Sequence, residues 1–304
     1  STDKLVCVPP KKSLDIDMEY NISVQKDIIL QNLIEGTMIN LFYTDQWTLS
    51  TRSSIGANNK WKSYKSFKNM FYESGGLEID YDRLNQNCTY SFVLLHQFNQ
   101  NISVIHTNRL VLVDIFNLDT MEYETNLQTY ENSTGFTVIQ NIPIHISIND
   151  YIQNLENIDF HWKGFTVKYG GKRYKYINPN YEKALTVLGN ETNLISRVCR
   201  LYNQGLIHTY IYYFPVDMNK IRSIQNVMYG YIYKLYNSYK ELFITKTITK
   251  DNIDFELKPC VFELHNIYKQ TKQKITYKKT VEYFKNLHPK RIYFIIFKKC
   301  KSIL

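Results

Sequence analysis

Hydrophobic residues repeat with two different periods along this chain, and the change comes near Asn190. Before that point, short apolar and β-branched runs read as strands. Beyond it, apolar residues recur every three or four positions, as on one face of a helix. This pattern predicts an α+β fold: antiparallel sheets with flanking helices over residues 1–190, then a helical, basic domain over 191–304. TMINLFY (37–43) and QWTLSTR (46–52) read as a hairpin turning at Thr44-Asp45. YSFVLL (90–95), RLVLVDIF (109–116) and GFTVKY (164–169) are further strands, and Gly170-Gly171 suits the turn into KRYKYI. KSYKSFKNMFYE and NDYIQNLEN read as helices, the latter opening on an Asn-Asp cap. In the second part Asp217 is placed to cap a helix with Ile221, Ile224, Met228, Tyr231, Leu235 and Leu242 along one face. CVFELHNIYKQ and TYKKTVEYFKNL give two more helices, the second closed by Pro289.

Composition narrows the function classes. Across 304 residues, 44% are hydrophobic and 21% charged, which suits a folded chain with a sizeable core. A net charge of +9 favours polyanions, although a solvated basic surface gives the same count. The five cysteines are far apart and form no CxxC pair, which points to neither a zinc knuckle nor a disulfide framework. Asn-x-Ser/Thr triplets such as those at 21 and 87 are expected by chance in so Asn-rich a chain, and no signal peptide is read. RIYFIIFKKC is too short to span a bilayer and is flanked by lysines, so no membrane span is expected and a soluble, reducing compartment is the default. P-loop, HExxH and GxSxG motifs are all absent, and the seven histidines are scattered.

Four short motifs then occur in an order that resembles covalent nucleotidyltransferases. IEGT (34–37) resembles the nucleophile motif K-x-D/E-G, and WTLSTRSSIG (47–56) the hairpin after it in phage-type RNA ligases. YSFVLLHQFN (90–99) resembles a Y-x-F-E-L strand. WKGFTVKYGGKRYKYINPNYEKA (162–184) resembles an E-G-h-V strand, a K-x-K strand and an N-P-N-Y block leading into a helix. With its basic helical C-terminal region, the chain resembles RNA-ligase-like proteins of large nucleocytoplasmic DNA viruses over nearly all of residues 30–290. The resemblance implies a nucleotidyltransferase fold for the first domain.

It also implies lost chemistry. Such ligases attack a nucleotide α-phosphate with a lysine amine while carboxylates hold the metals. Leu33 stands at the nucleophile position, Val93 and Lys163 replace the two glutamates, and Ile177 replaces the second lysine of the last motif, while Lys175 matches the first. The resemblance therefore implies a pseudoenzyme with no catalytic residue, no metal site and no cofactor. Its partners would be RNA or DNA, a protein, or the assembly of a virus particle, and its location the cytoplasm or, if viral, the virion. An active nucleotidyltransferase with a displaced nucleophile, Lys163 or Lys175, stays open beside this, as does a purely structural role with tyrosines at protein contacts.

The residues that would carry binding are Glu35, Gly36, Arg52, His96, Lys168, Lys172, Arg173, Tyr174 and Lys175. Glu35-Gly36 suits a nucleotide sugar or simply a turn before a core strand; Arg52 suits a phosphate or solvent. His96, beside apolar residues, suits a ligand or the core. The KYGGKRYKY hairpin alternates cations with tyrosines and includes no acid, a pairing suited to a nucleic-acid strand. From Lys274 onward nine Lys/Arg face a single acid, Glu282, with Tyr277, Tyr283 and Tyr293 interleaved.

Overall fold

The computed structural model describes residues 4–16, 28–155 and 158–301. The triplet at 21 and the positions 156 and 157 of NDYIQNLEN lie outside them. The chain divides into two compact units, Ser1–Lys183 and Ala184–Leu304.

The first unit is built on two sheets. Strands β1 (Leu14–Asp15), β2 (Ile29–Asn32), β3 (Thr37–Tyr43) and β4 (Trp47–Ser50) are followed by helix α1 (Phe67–Phe71). Then come β5 (Cys88–Leu95), β6 (Arg109–Asn117), β7 (Glu122–Tyr123) and helices α2 (Gln128–Thr134) and α3 (Ile148–Gln153). The hairpin β8 (Gly164–Tyr169) and β9 (Lys172–Ile177) leads into α4 (Pro179–Leu188), within which the unit boundary falls. One sheet has the order β1-β9-β8-β2 and the other β4-β3-β5-β6-β7. Among these strands the pairings are antiparallel except the two-residue contact of β1 with β9, and Leu112 of β6 adds an isolated parallel bridge to Val138.

Each sheet has its own core. In the five-stranded sheet β5 is buried along its whole length, as a central strand must be. Ile39, Leu41, Phe92 and Leu112 pack with Phe67, Met70 and Phe71 of α1, and the Phe71 and Phe92 rings meet edge-on at 5.9 Å. In the four-stranded sheet Leu30, Phe165 and Val167 pack with Ile148 of α3, and Tyr174 and Tyr176 lie against that cluster.

Local expectations differ from the structure at four places. The β3–β4 turn uses three residues, since Tyr43 pairs with Trp47 and Thr44 N donates to Gln46 O. Helix α1 starts only at Phe67, because Ser66 accepts from Asn69 N and ends the extended approach. The cap of α3 is Ser147, whose hydroxyl accepts from Asp150 N, two residues ahead of the Asn149 at which the Asn-Asp reading began. Asp217 precedes its helix but makes no capping bond, because its carboxylate accepts from Tyr210 OH at 2.6 Å instead.

The second unit is helical: α5 (Leu194–Gln204), α6 (Ile207–Tyr213), α7 (Met218–Tyr239), α8 (Lys258–Thr271), α9 (Tyr277–Lys285) and α10 (Pro289–Cys300). Ile221, Ile224, Met228, Tyr231 and Leu235 of α7 are buried, as their spacing predicts, whereas Leu242 falls in a five-residue wide turn after the helix and is half-buried. Pro289 opens α10 as its first residue, where its missing N–H costs nothing. Among the described residues, no helix is long and apolar enough to cross a membrane.

Candidate functional site

Three of the four motif segments meet near one end of the four-stranded sheet, whereas WTLSTRSSIG lies at the edge of the other sheet. Leu33 N donates to Gly164 O at 2.8 Å, which joins the start of the first motif to the fourth. Gly36 takes φ +145°, and a Cβ there would meet Val93 Cγ1 at 2.7 Å and Leu94 O at 2.6 Å. Val93 is therefore packed against the Glu35-Gly36 turn, where its isopropyl group offers no oxygen to a metal. Glu35 is already engaged: its carboxylate accepts from Ile102 N (2.7 Å), Ser103 N (3.2 Å) and Tyr181 OH (2.9 Å). Burial and this neighbouring carboxylate together raise the Tyr181 phenol far above its ordinary range.

The N-P-N-Y block ties this end together. Asn178 is buried, and its side-chain amide donates to Asp159 O and Trp162 O, both at 2.9 Å. Asn180 donates to Ile158 O, and Tyr181 reaches Glu35. Lys163 lies just beside it, with Nζ 3.5 Å from Ile34 O. Burial lowers its pKa; Glu35 opposes that shift, and the charges of Lys175 and Arg173 add to it. Among the described residues, no group of three or more His, Cys, Asp or Glu is arranged to hold a metal.

Cations line the rest of the same sheet face. Residues paired across antiparallel strands share a face. The pairs Lys168↔Arg173, Thr166↔Lys175 and Gln31↔Thr166 therefore lie together, with Ile29 opposite Lys168. Lys168 Nζ bonds Asp114 Oδ1 of β6 at 3.0 Å, an ion pair between the two sheets, and Lys175 reaches the exposed Asp15 at 3.2 Å. Burial raises the Asp114 carboxyl pKa despite the opposing pull of Lys168 and Arg173. Burial lowers that of the Arg173 guanidinium, with Asp114 opposing. Arg173 Nε and Thr166 Oγ1 are buried and have no hydrogen-bond partner among the described residues. At the hairpin end a cavity of about 720 Å³ opens, lined by Lys11, Lys168, Lys172 and Arg173 together with Phe116 and Tyr123. Glu122 and Glu124 also line it.

The expected site residues thus separate into groups. Lys168, Arg173 and Lys175 stand on one sheet face, and Lys172 is exposed at the hairpin tip. Tyr174 takes the opposite face and packs with Tyr176 on the core cluster, because period-2 alternation puts it there. It is therefore no neighbour for a base stacked beside these cations. His96 is fully buried; Nε2 lies 3.0 Å from Glu73 Oε2, and Nδ1 accepts from Phe98 N at 3.1 Å. Both ring nitrogens serve the fold. Arg52 is exposed beyond the end of β4 and lines a different cavity, of about 620 Å³, with none of the others. In the C-terminal tail, Tyr283 OH and Arg291 both bind Glu263, which occupies two of the groups read there as candidates.

Two participants escaped the sequence reading, Asp114 and Lys11. Asp114 carried a signal, since a carboxylate inside the apolar run RLVLVDIF has to find a partner when buried. Lys11 carried none; its Nζ donates to Gly171 O at 2.7 Å, across a long sequence separation.

No family model matches this chain. A curated protein of Invertebrate iridescent virus 3, described as an immediate-early protein ICP-46 homolog, is 26% identical over 184 residues. That match covers 58% of this chain and 40% of the relative. Among solved structures, an RNA ligase of Naegleria gruberi with ATP and Mn is similar at TM-score 0.41 and 13% identity over 52% of each chain. A ligand-free form of that enzyme gives TM-score 0.42 and 14% identity over 58% of this chain and 59% of its own. The chain thus spans under two thirds of the length of each of these proteins.

Proposed function

We propose that this chain is a nucleic-acid-binding protein on an RNA-ligase-like scaffold, without lysyl-nucleotide chemistry. The observation that carries the reading is a contrast between the motif end of the four-stranded sheet, which Val93 meets from β5 of the other sheet, and the rest of that sheet's cationic face. At the motif end Leu33 and Val93 stand where an amine and a carboxylate would act, and Glu35 is held by two amides and a phenol. Along the rest of that face run Lys168, Arg173 and Lys175, beside a cavity with Lys11 and Lys172. Such a row suits a phosphate backbone, which is read as charge rather than sequence. The viral relative, described as an immediate-early protein, supports a viral setting.

The test is anisotropy of labelled RNA and DNA, single- and double-stranded, against the whole chain at rising salt. Micromolar binding that weakens steeply with salt is expected. No affinity for any strand at low salt would sink the reading, and would support a protein partner or a place in a virus particle. In parallel, incubation with labelled ATP or GTP and Mn²⁺ should leave no covalent label on denaturing electrophoresis. Leu33→Lys should also stay unlabelled, since Val93 and Lys163 still supply no metal ligand and the added amine would sit near a cation.

A second reading rests on Lys163, whose burial favours the neutral amine. Having released its proton to solvent, that amine would attack a nucleotide α-phosphorus, forming a P–N bond as the P–O bond to pyrophosphate breaks. A covalent label present in the parent and absent from Lys163→Arg would establish this reading in place of the first.

A further inference from the structure

The segment KWKSYKSFK (60–68) lies outside the sheet face and interleaves cations with aromatics. Phe67, the first residue of α1, is buried and anchors the end of the segment, whereas Trp61 is 53% and Tyr64 67% exposed. Three residues apart, their Cα atoms lie within roughly 11 Å of each other. Phe98, 38% exposed, joins Tyr64 from the loop after β5, its ring 5.2 Å from that of Tyr64 at 61°. Lys65 Nζ lies 5.1 Å from the Phe98 centroid and 5.8 Å from that of Tyr64, and Lys62 Nζ lies 5.4 Å from the Trp61 centroid.

The patch is braced from below. Lys65 binds both oxygens of Glu73, at 2.7 and 2.6 Å, and Glu73 meets the buried His96, whose other nitrogen accepts from Phe98 N. His96 therefore acts as a support for Phe98. Large aromatic faces gathered on a surface mark an interaction site more often than scattered ones do. The segment contains four lysines and no acid; Lys65 is paired with Glu73, and the charges of Lys60, Lys62 and Lys68 favour an anionic partner.

We infer that Trp61, Tyr64 and Phe98 form a stacking platform for the bases of single-stranded nucleic acid, with Lys60, Lys62 and Lys68 toward its backbone. The inference rests on the nucleic-acid reading and adds a surface and a strand preference to it. Every base has a π-face, so the platform tolerates sequence. A duplex keeps its bases stacked inside and cannot use it.

The test uses the whole chain with Trp61→Ala plus Tyr64→Ala, and with Trp61→Phe plus Tyr64→Phe, against labelled single-stranded and duplex RNA. Both side chains are exposed, so the fold is retained, as a thermal melt will check. The alanine pair should lose about 5- to 150-fold in single-strand affinity per lost stack, with an unchanged salt slope and little change on duplex. The phenylalanine pair should recover most of it. Affinity equal to the parent in the alanine pair, or an equal loss on both strands, would overturn the platform and leave the nucleic-acid reading standing. A parent that binds no strand would overturn both.

Discussion

The two ends of the cationic sheet face use the same kinds of side chain in opposite ways. At the Leu33–Gly164 end a phenol donates to a carboxylate and an amide side chain donates to backbone carbonyls, with Glu35 accepting from three donors. At the hairpin end Asp114 meets one lysine, and the exposed Lys172 lines, with Arg173, a cavity of about 720 Å³. The difference teaches where a polar residue is part of the scaffold and where it is available. Satisfied groups hold the chain in one arrangement, whereas charges facing open space retain attraction for a ligand.

That comparison can be broken at several points. The largest effect is expected from Gly164→Ala: a Cβ would lie 2.0 Å from Tyr176 O at φ +139°, so urea unfolding should show a loss of about 4 kcal/mol. A variant as stable as the parent would mean that the closed end is loosely built. Next, Glu35→Ala should cost about 2–3 kcal/mol by leaving two amides and the Tyr181 hydroxyl without their acceptor, and Tyr181→Phe about 1 kcal/mol. Unchanged stability with altered nucleotide binding would make Glu35 a ligand-binding group instead.

At the open end, Lys168→Gln with Arg173→Gln should weaken nucleic-acid binding by roughly tenfold or more. If both contact phosphates, the slope of log K against log salt becomes shallower by about 1.4 for single strands and about 1.8 for B-DNA. An unchanged slope would remove this face from the interface. The smallest effect concerns pH. Burial raises Asp114 above the ordinary carboxylate value, so the folded state holds that proton more tightly than the unfolded chain. Its contribution to stability is full below the unfolded value and declines as pH rises through the raised one. Asp114→Asn should remove that part of the pH dependence, whose ceiling for one proton is about 1.4 kcal/mol per pH unit. Equal slopes in parent and variant would place its titration elsewhere.

Much of the scaffold was legible in local patterns. Strands β3, β5, β6 and β8 fall on the runs that predicted them, and the Gly170-Gly171 turn joins β8 to β9 with both glycines at positive φ. The face of α7 followed from spacing alone. The site was less legible. His96, Arg52 and Tyr174 all had chemistry suited to a ligand, yet one supports a loop, one stands apart and one packs in a core. The exposed Tyr64 lay in a stretch whose pattern suggested only a helix, and Trp61 stood just before that stretch.

The sequence by itself determined which residues could be strands, turns and helices, because periodicity and turn chemistry act within a few bonds. It also determined that Arg173 and Tyr174 take opposite faces, since alternation leaves no other choice. Only the tertiary structure decided which face meets a core. It paired Asp114 with Lys168 and brought Tyr181 to Glu35 from 146 positions away. Such partners are chosen by packing distant segments, and a side chain is available to a ligand only where that packing leaves it unsatisfied.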